Sequence, residues 1–368
     1  MIAFGCTLPC HASYRPLVRR LSSEAPDHMT SRCLITGAAG FIGSRLCQQL
    51  GRTGEWTIAP VARRIPERHS SGIGGSPWLY ADLLNRVQTQ QVLQGVSHVV
   101  HLAHGHRGTL LTKQLVDCAI QQRVERFVHI STMSVHGPAP GPEAACEDTA
   151  TIGRYHQEYC DSKAEQEEIV RAAVDRGDLR AVILRPTVVY GPNSHFVEQI
   201  VHQAQTGTVT RFDGGVGLCN AVFVDDVCEA IGAALTSERA LGEAMFINGD
   251  RAVTWAEFIA AFASLVEPAP VIKDLSSAEV RQYWQHNPPQ TVHSLGQRIS
   301  NKLLRLIGAY RPPPPAPWPP LGRVERESIR ITFRNDKAKR LLGWAPRVDF
   351  SQGVELTRTW FRNARTAQ

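Results

Sequence analysis

The chain has no apolar run approaching the roughly 18 residues of a membrane span, so membrane contact is not expected. None of its nine cysteines forms a Cys-x-x-Cys, which argues against a zinc ribbon or a thioredoxin-like redox motif. Cys33, Cys47 and Cys118 sit in apolar stretches, as thiols do when they serve as small core residues. That usage belongs to a reducing compartment, and a cytoplasmic location is expected. Cys6, Cys10 and His11 lack the two further ligands that a metal site needs, and no metal is expected. The net charge of +6 is mild, and no basic patch with interleaved aromatics occurs, so nucleic acid is not an expected partner. Acids are sparse only between Arg281 and Arg330. No internal repeat is visible.

What is present suffices for a large core: 368 residues, 43% of them hydrophobic and 20% charged. Strands are expected at 33–36, 57–62, 78–81, 96–102, 126–130 and 179–184. Helices are expected at 41–50, 109–122 and 155–175. These strands are continuous apolar runs that alternate with helices, the pattern of a parallel sheet covered on both faces. After Arg185, short strands at 209–212, 221–224 and 244–247 interleave with helices. Thr254-Trp-Ala-Glu257 is a capping box opening a helix through Leu265, and Ser276-Ser-Ala-Glu279 is read as another. Helical stretches at 336–342 and 352–362 close the chain. The fold class is therefore α/β: a Rossmann-like doubly wound parallel sheet with a smaller C-terminal α/β substrate-binding part. Residues 31–190 form the dinucleotide domain, which also receives 215–235 and 244–248. Residues 191–368 are mainly the substrate part. It includes an amphipathic stripe from Ser294 to Tyr310, read as a helix packed on this part, and a stiff polyproline segment at 311–320. Residues 1–30 are expected to be a loose tail, with Met29 a candidate true start.

Two motifs carry chemistry. Gly37-Ala-Ala-Gly40-Phe-Ile-Gly43 follows the first strand and opens a helix. Gly37 permits a sharp turn, Gly40 a close approach to a pyrophosphate, and Gly43 tight helix–sheet packing. The second strand ends in Arg63-Arg64 instead of the acid that would accept from a ribose diol. Two guanidiniums suit a 2′-phosphate, so NADP is favoured over NAD. Asp82 and the pair Leu102 and Ala103 stand at strand ends where they would line the dinucleotide. The second motif is Tyr159 with Lys163, four residues apart and so on one helix face. A phenol ordinarily titrates near 10. A nearby ammonium is expected to lower that value and to make Tyr159 an acid/base. Ser131 and Thr132 follow the fifth strand and supply hydroxyls for a substrate oxygen.

With these residues in place, the chain resembles the extended short-chain dehydrogenase/reductase superfamily, the group of nucleotide-sugar epimerases, dehydratases and 3β-hydroxysteroid dehydrogenase-like reductases. The resemblance runs from about Arg32 to Phe361. Its landmarks are Thr36 to Gly43, Ala81-Asp-Leu83, His101-Leu-Ala103, His129 to Gly137, Tyr159 with Lys163, Leu184-Arg-Pro-Thr-Val-Val-Tyr-Gly-Pro192, Phe223-Val-Asp-Asp-Val227 and Leu342-Gly-Trp-Ala-Pro346. It implies Thr132 as the catalytic hydroxyl with Ser131 beside it, Tyr159 as acid/base and Lys163 as its partner and a cofactor ligand. It also implies that Ala39, Phe41, Ile42, Leu83, Pro186 and Val188 contact the cofactor, and that the protein is a homodimer through the helices at 109–122 and 155–175.

Departures from the family pattern narrow the chemistry. Met133 and Ser134 replace the Asp-Glu pair of the dehydratases and cannot shuttle protons. The slot for a diphosphate-gripping arginine falls on Cys219 or Asn220, with Arg211 nearby. His101, His104 and His106 fit no dedicated metal spacing. Candidate substrate residues are His104, Met133, Asn193 and Arg211. The expectation is an NAD(P)-dependent oxidoreductase acting on a hydroxyl/carbonyl pair of a small molecule. A nucleotide-sugar epimerase that retains NAD is the alternative. A non-catalytic dinucleotide sensor is the third reading.

Overall fold

The computed structural model describes residues 31–64, 71–287 and 318–366. The expected tail at 1–30, the stripe from Ser294 to Tyr310 and most of the polyproline segment lie outside the described residues.

The first half alternates strand and helix: β1 (Ser31–Thr36), α1 (Phe41–Thr53), β2 (Trp56–Ala62), β3 (Leu79–Tyr80), α2 (Arg86–Val92), β4 (His98–His101), α3 (Gly108–Gln121), β5 (Arg126–Ile130), α4 (Glu158–Asp175) and β6 (Ala181–Pro186). The second half holds β7 (Val188–Tyr190), α5 (His195–Gln205), β8 (Thr208–Phe212), β9 (Leu218–Cys219), β10 (Ala221–Phe223), α6 (Val224–Thr236), β11 (Ala244–Ile247), β12 (Val253–Thr254), α7 (Trp255–Ala263), β13 (Val271–Leu275), α8 (Ser277–His286), α9 (Leu321–Glu327), α10 (Asp336–Leu342) and α11 (Phe350–Thr366).

Seven strands form one parallel sheet in the order β11-β6-β5-β4-β1-β2-β3. The order reverses direction between β1 and β4, which opens a crevice at the carboxyl edge. Buried side chains form separate clusters on the two faces. This accounts for the continuous apolar runs, since each strand is covered on both sides.

Other landmarks prove to be joints. Asp226 accepts hydrogen bonds from the backbone amides of Arg347 (2.9 Å) and Val348 (3.2 Å), and Trp344 Nε1 donates to the Asp226 carbonyl at 2.9 Å. Tyr190, fully buried, packs edge-on or tilted against Phe223, Phe258, Phe262 and Phe350. These contacts clamp the C-terminal segments to the sheet edge beside the crevice. The Thr254 capping box forms in both directions, although its helix stops at Ala263, two residues before the predicted end. Helix α4 starts at Glu158, three residues later than predicted. The Tyr155 amide instead donates to Asp161 Oδ1 at 2.7 Å.

Candidate active site

The loop between β1 and α1 is shaped by its glycines. Gly37 has φ +69, and a Cβ there would lie 2.9 Å from the Ala103 amide nitrogen. A Cβ on Gly43 would lie 2.2 Å from the Gly37 carbonyl oxygen, so α1 packs on the loop only with glycine there. Gly40 caps α1 without a side-chain hydrogen bond, and no acid occupies the first turn. The first amides of the helix are thus open to an anion. This cradle leads into a cleft of about 870 Å³. Gly37, Ala39, Gly40, Arg63, Arg64, Asp82, Leu83, Leu102, Ala103 and His104 all line it. Its size and donor set fit a dinucleotide. Arg63 and Arg64 are exposed at its rim.

A second cavity, of about 500 Å³, adjoins the loop on the other side. Phe41, Ile42, Ser131, Thr132, Met133, Tyr159, Pro186 and Val188 line it. Phe41 and Ile42 therefore border the Tyr159 cavity, not the cleft. The Thr132 hydroxyl stands beside the Tyr159 phenol and is hydrogen-bonded to Ser134. His104, on the cleft side, stands edge-on to the Tyr159 ring with centroids 5.1 Å apart. Lys163 lies behind the tyrosine, 5% exposed, and its ammonium donates to the Ile130 carbonyl at 2.8 Å.

The electrostatics differ from the expectation in one respect. Burial pushes the Tyr159 pKa above its ordinary value, while the nearby Thr132 hydroxyl works the other way. Because 47% of the residue's surface is accessible, the push is tempered by solvent. The net direction is thus opposite to the expected lowering, and the Lys163 ammonium makes its hydrogen bond to the Ile130 carbonyl. Burial lowers Lys163 itself to about 8, against the pull of Glu167. Burial, then Lys163, lowers His104 to about 4. His101 is held between Thr36 Oγ1 (2.8 Å) and Thr112 Oγ1 (2.9 Å), and His106 pairs with Glu158 at the surface. The three histidines thus serve separate partners.

Two predicted substrate residues are placed elsewhere. Arg211 makes a two-pronged ion pair with Asp274 on β13, at 2.8 and 2.6 Å, and does not line the cavity of Tyr159. The parallel pairing of β8 with β13 sets Arg211 opposite Asp274, a register invisible in sequence. Asn193 occupies a turn at φ +66 beside the lining residues Ser194 and His195 but does not line the cavity. Asn220 binds the Ile331 carbonyl and the Phe333 amide, and Cys219 is fully buried. Neither lines the cleft or the cavity of Tyr159.

Sequence reasoning missed the group beneath the site. Glu167 and Arg185 form a fully buried two-pronged ion pair at 2.9 and 2.8 Å. Burial pushes the Glu167 carboxyl up, but the Arg185 fork and charge prevail and hold it below its ordinary value. The Ser131 hydroxyl stands close enough to assist, although it makes no hydrogen bond of good geometry. The signal was available: Glu167 continues the one-turn spacing of Tyr159 and Lys163 along α4.

A model of the NAD dependent epimerase/dehydratase family matches residues 33–248. The chain belongs to that family. It is 24% identical to 3β-hydroxysteroid-dehydrogenase/decarboxylase isoform 2 of Arabidopsis thaliana, over 91% of this chain and 63% of that protein. It is 25% identical to 2-alkyl-3-oxoalkanoate reductase of Shewanella oneidensis, over 62% of this chain and 64% of that protein. The matches thus span less than two thirds of either relative's length. In fold, the chain is similar to MoeE5, solved in complex with UDP-glucose and NAD, with a TM-score of 0.68 and 23% identity over 91% of this chain and all of that one. Membership in this family accounts for the glycine cradle and the strand order. Among the described residues no helix is long and apolar enough to cross a membrane.

Proposed function

We propose that this chain is an NAD(P)(H)-dependent oxidoreductase that interconverts a carbonyl and a hydroxyl on a small, largely apolar substrate. The observation that carries the reading is that Tyr159 and Thr132 stand together on the wall of a cavity that abuts the glycine cradle. The dinucleotide, when bound, supplies or takes up the hydride. Tyr159 gives its phenolic proton to the substrate oxygen. Its raised pKa keeps that proton in place at neutrality, which suits reduction. Thr132 orients the same oxygen, and Lys163 supplies positive charge from behind the phenol. The direct assay is NADPH oxidation with a panel of ketones and 3-oxo acids. Absence of turnover across the panel, with NADPH bound, would sink the proposal.

Lys163 gives a pH signature. Its value of about 8 lies below the ordinary 10.5, so its charge is present below pH 8 and lost above it. Reductive kcat/KM is expected to hold near neutrality and to fall above about pH 8. A profile flat to pH 10 would show that the ammonium is not required.

We further propose NADP(H) as the preferred cofactor, because Arg63 and Arg64 rim the cleft at the end of β2. The double variant Arg63→Ala/Arg64→Ala should weaken NADPH about 10- to 100-fold, as measured by fluorescence titration, and leave NADH nearly unchanged. Equal losses for both cofactors would count against a 2′-phosphate contact. The epimerase reading is weaker, because Arg211 is engaged by Asp274 and Asn220 by backbone. A homodimer through α3 and α4 follows from the family resemblance. The described cysteines are free and, Cys146 apart, buried, which supports a reducing, cytoplasmic setting.

A further inference from the structure

One formally charged side chain lines the cavity that holds Tyr159. Among the described residues it is Arg326 on α9. The rest of the lining is apolar or neutral, with Phe41, Ile42, Ile130, Met133, Val188 and Phe196 prominent. Two aromatic rings flank the guanidinium: its Cζ is 5.0 Å from the Phe196 centroid and 5.8 Å from the Trp255 centroid. Such stacking favours the planar cation and leaves its N–H edge for a ligand. Among the described residues Arg326 Nε has no hydrogen-bond partner, and neither does the buried Trp255 Nε1. The acids next to Arg326 make their hydrogen bonds elsewhere, although the Glu327 charge still acts on the guanidinium. Glu325 accepts from Gln157 Nε2 at 2.6 Å, and Glu327 pairs with Arg323 at 2.6 Å. Burial lowers the arginine's pKa, and a guanidinium in a protein remains charged. A half-buried cation whose Nε is buried and unpaired is expensive to keep without a function.

We propose that Arg326 holds a carboxylate of the substrate, so that the preferred substrate is an oxo acid with an apolar body. The inference rests on the carbonyl-reduction reading for the position of the reacting carbon. Its own ground is Arg326. The fork of one guanidinium matches one carboxylate in a two-pronged fashion. A nucleotide diphosphate carries more charge than this single cation offsets, and the other candidate grip, Arg211, is bound to Asp274. The relatives named above point the same way: one reduces an oxoalkanoate, and the other is named a decarboxylase, an activity that consumes a carboxylate. With Tyr159 and Thr132 at the carbonyl and Arg326 at the carboxylate, the apolar lining takes the alkyl remainder. The acid is thereby oriented, and its neutral ester is not.

The test compares a medium-chain 3-oxo acid with its methyl ester in wild-type enzyme. The acid should be favoured about 10- to 100-fold in kcat/KM, and most of the difference should lie in KM. In Arg326→Met the preference should collapse toward one, and Arg326→Lys should restore part of it. A binding arm needs no turnover: dodecanoate, titrated by calorimetry in the presence of NADP⁺, should bind wild type and lose about 10- to 100-fold in Arg326→Met. If neither 3-oxo compound is reduced but dodecanoate binding still depends on Arg326, the carboxylate grip stands and the reduction reading falls. Equal use of acid and ester, or equal dodecanoate binding by wild type and Arg326→Met, overturns the proposal. So does tight UDP-glucose binding that Arg326→Met abolishes while dodecanoate fails to bind. Should Arg326→Met not fold, the wild-type acid/ester ratio and Arg326→Lys decide alone.

Discussion

Tyr159→Phe is expected to lower kcat for carbonyl reduction by about 10²- to 10⁴-fold, the range of a lost general acid. The substitution removes one oxygen. The ring remains edge-on to His104 and the helix is unaltered, so packing is preserved. The neighbouring Thr132 hydroxyl cannot replace it, because an alcohol gives up its proton far less readily. NADPH affinity should change by less than about 2-fold, since the cleft that fits the dinucleotide is lined by other residues. The decisive measurement is single-turnover NADPH oxidation beside a fluorescence titration of NADPH. Activity within tenfold of wild type would remove Tyr159 from the acid role. A parallel collapse of NADPH affinity would mean that the ring was holding the cofactor and not the proton.

The second large effect is on stability. Arg185→Met is expected to destabilise the fold by about 3–5 kcal/mol, because it leaves the fully buried Glu167 carboxylate with only the more distant Arg171, at 3.7 Å, to offset its charge. Urea unfolding of the purified variant reads this directly as a shift in midpoint. The double variant Arg185→Met/Glu167→Leu should recover most of the loss, since an apolar pair of similar volume leaves no buried charge. If the single variant lost under about 1 kcal/mol, the pair would be solvated in a way the geometry does not show. The same variant tests the site, because Glu167 works against burial at Lys163. Without Arg185 the carboxyl loses its main source of ionisation, and the high-pH limb of the activity profile should move down.

Much of the fold was legible because parallel strands covered on both faces must be apolar along their length. The runs at 126–130, 244–247 and 336–342 agree with the structure to the residue. The ends that slipped did so where side chains outbid propensity. Tyr155 is drawn out of α4 by Asp161, and β3 shrinks to Leu79–Tyr80 at the sheet edge. The cofactor cleft was legible because its residues lie on consecutive strand ends, and sequence order fixes their order along the crevice.

The sequence by itself determined a cradle for a phosphate and a phenol one helical turn from an amine, since both depend only on neighbours within a few residues. It also marked what the site lacks, the acids of a dehydratase. The tertiary structure alone decided where long-range partners fall. Strand register gave Arg211 to Asp274, the packing of α4 on β6 joined Glu167 to Arg185, and α9 carried Arg326 into the cavity of Tyr159. No period or spacing encodes such meetings, because they are set by how whole elements pack, and a side chain's charge says nothing of which charge will face it.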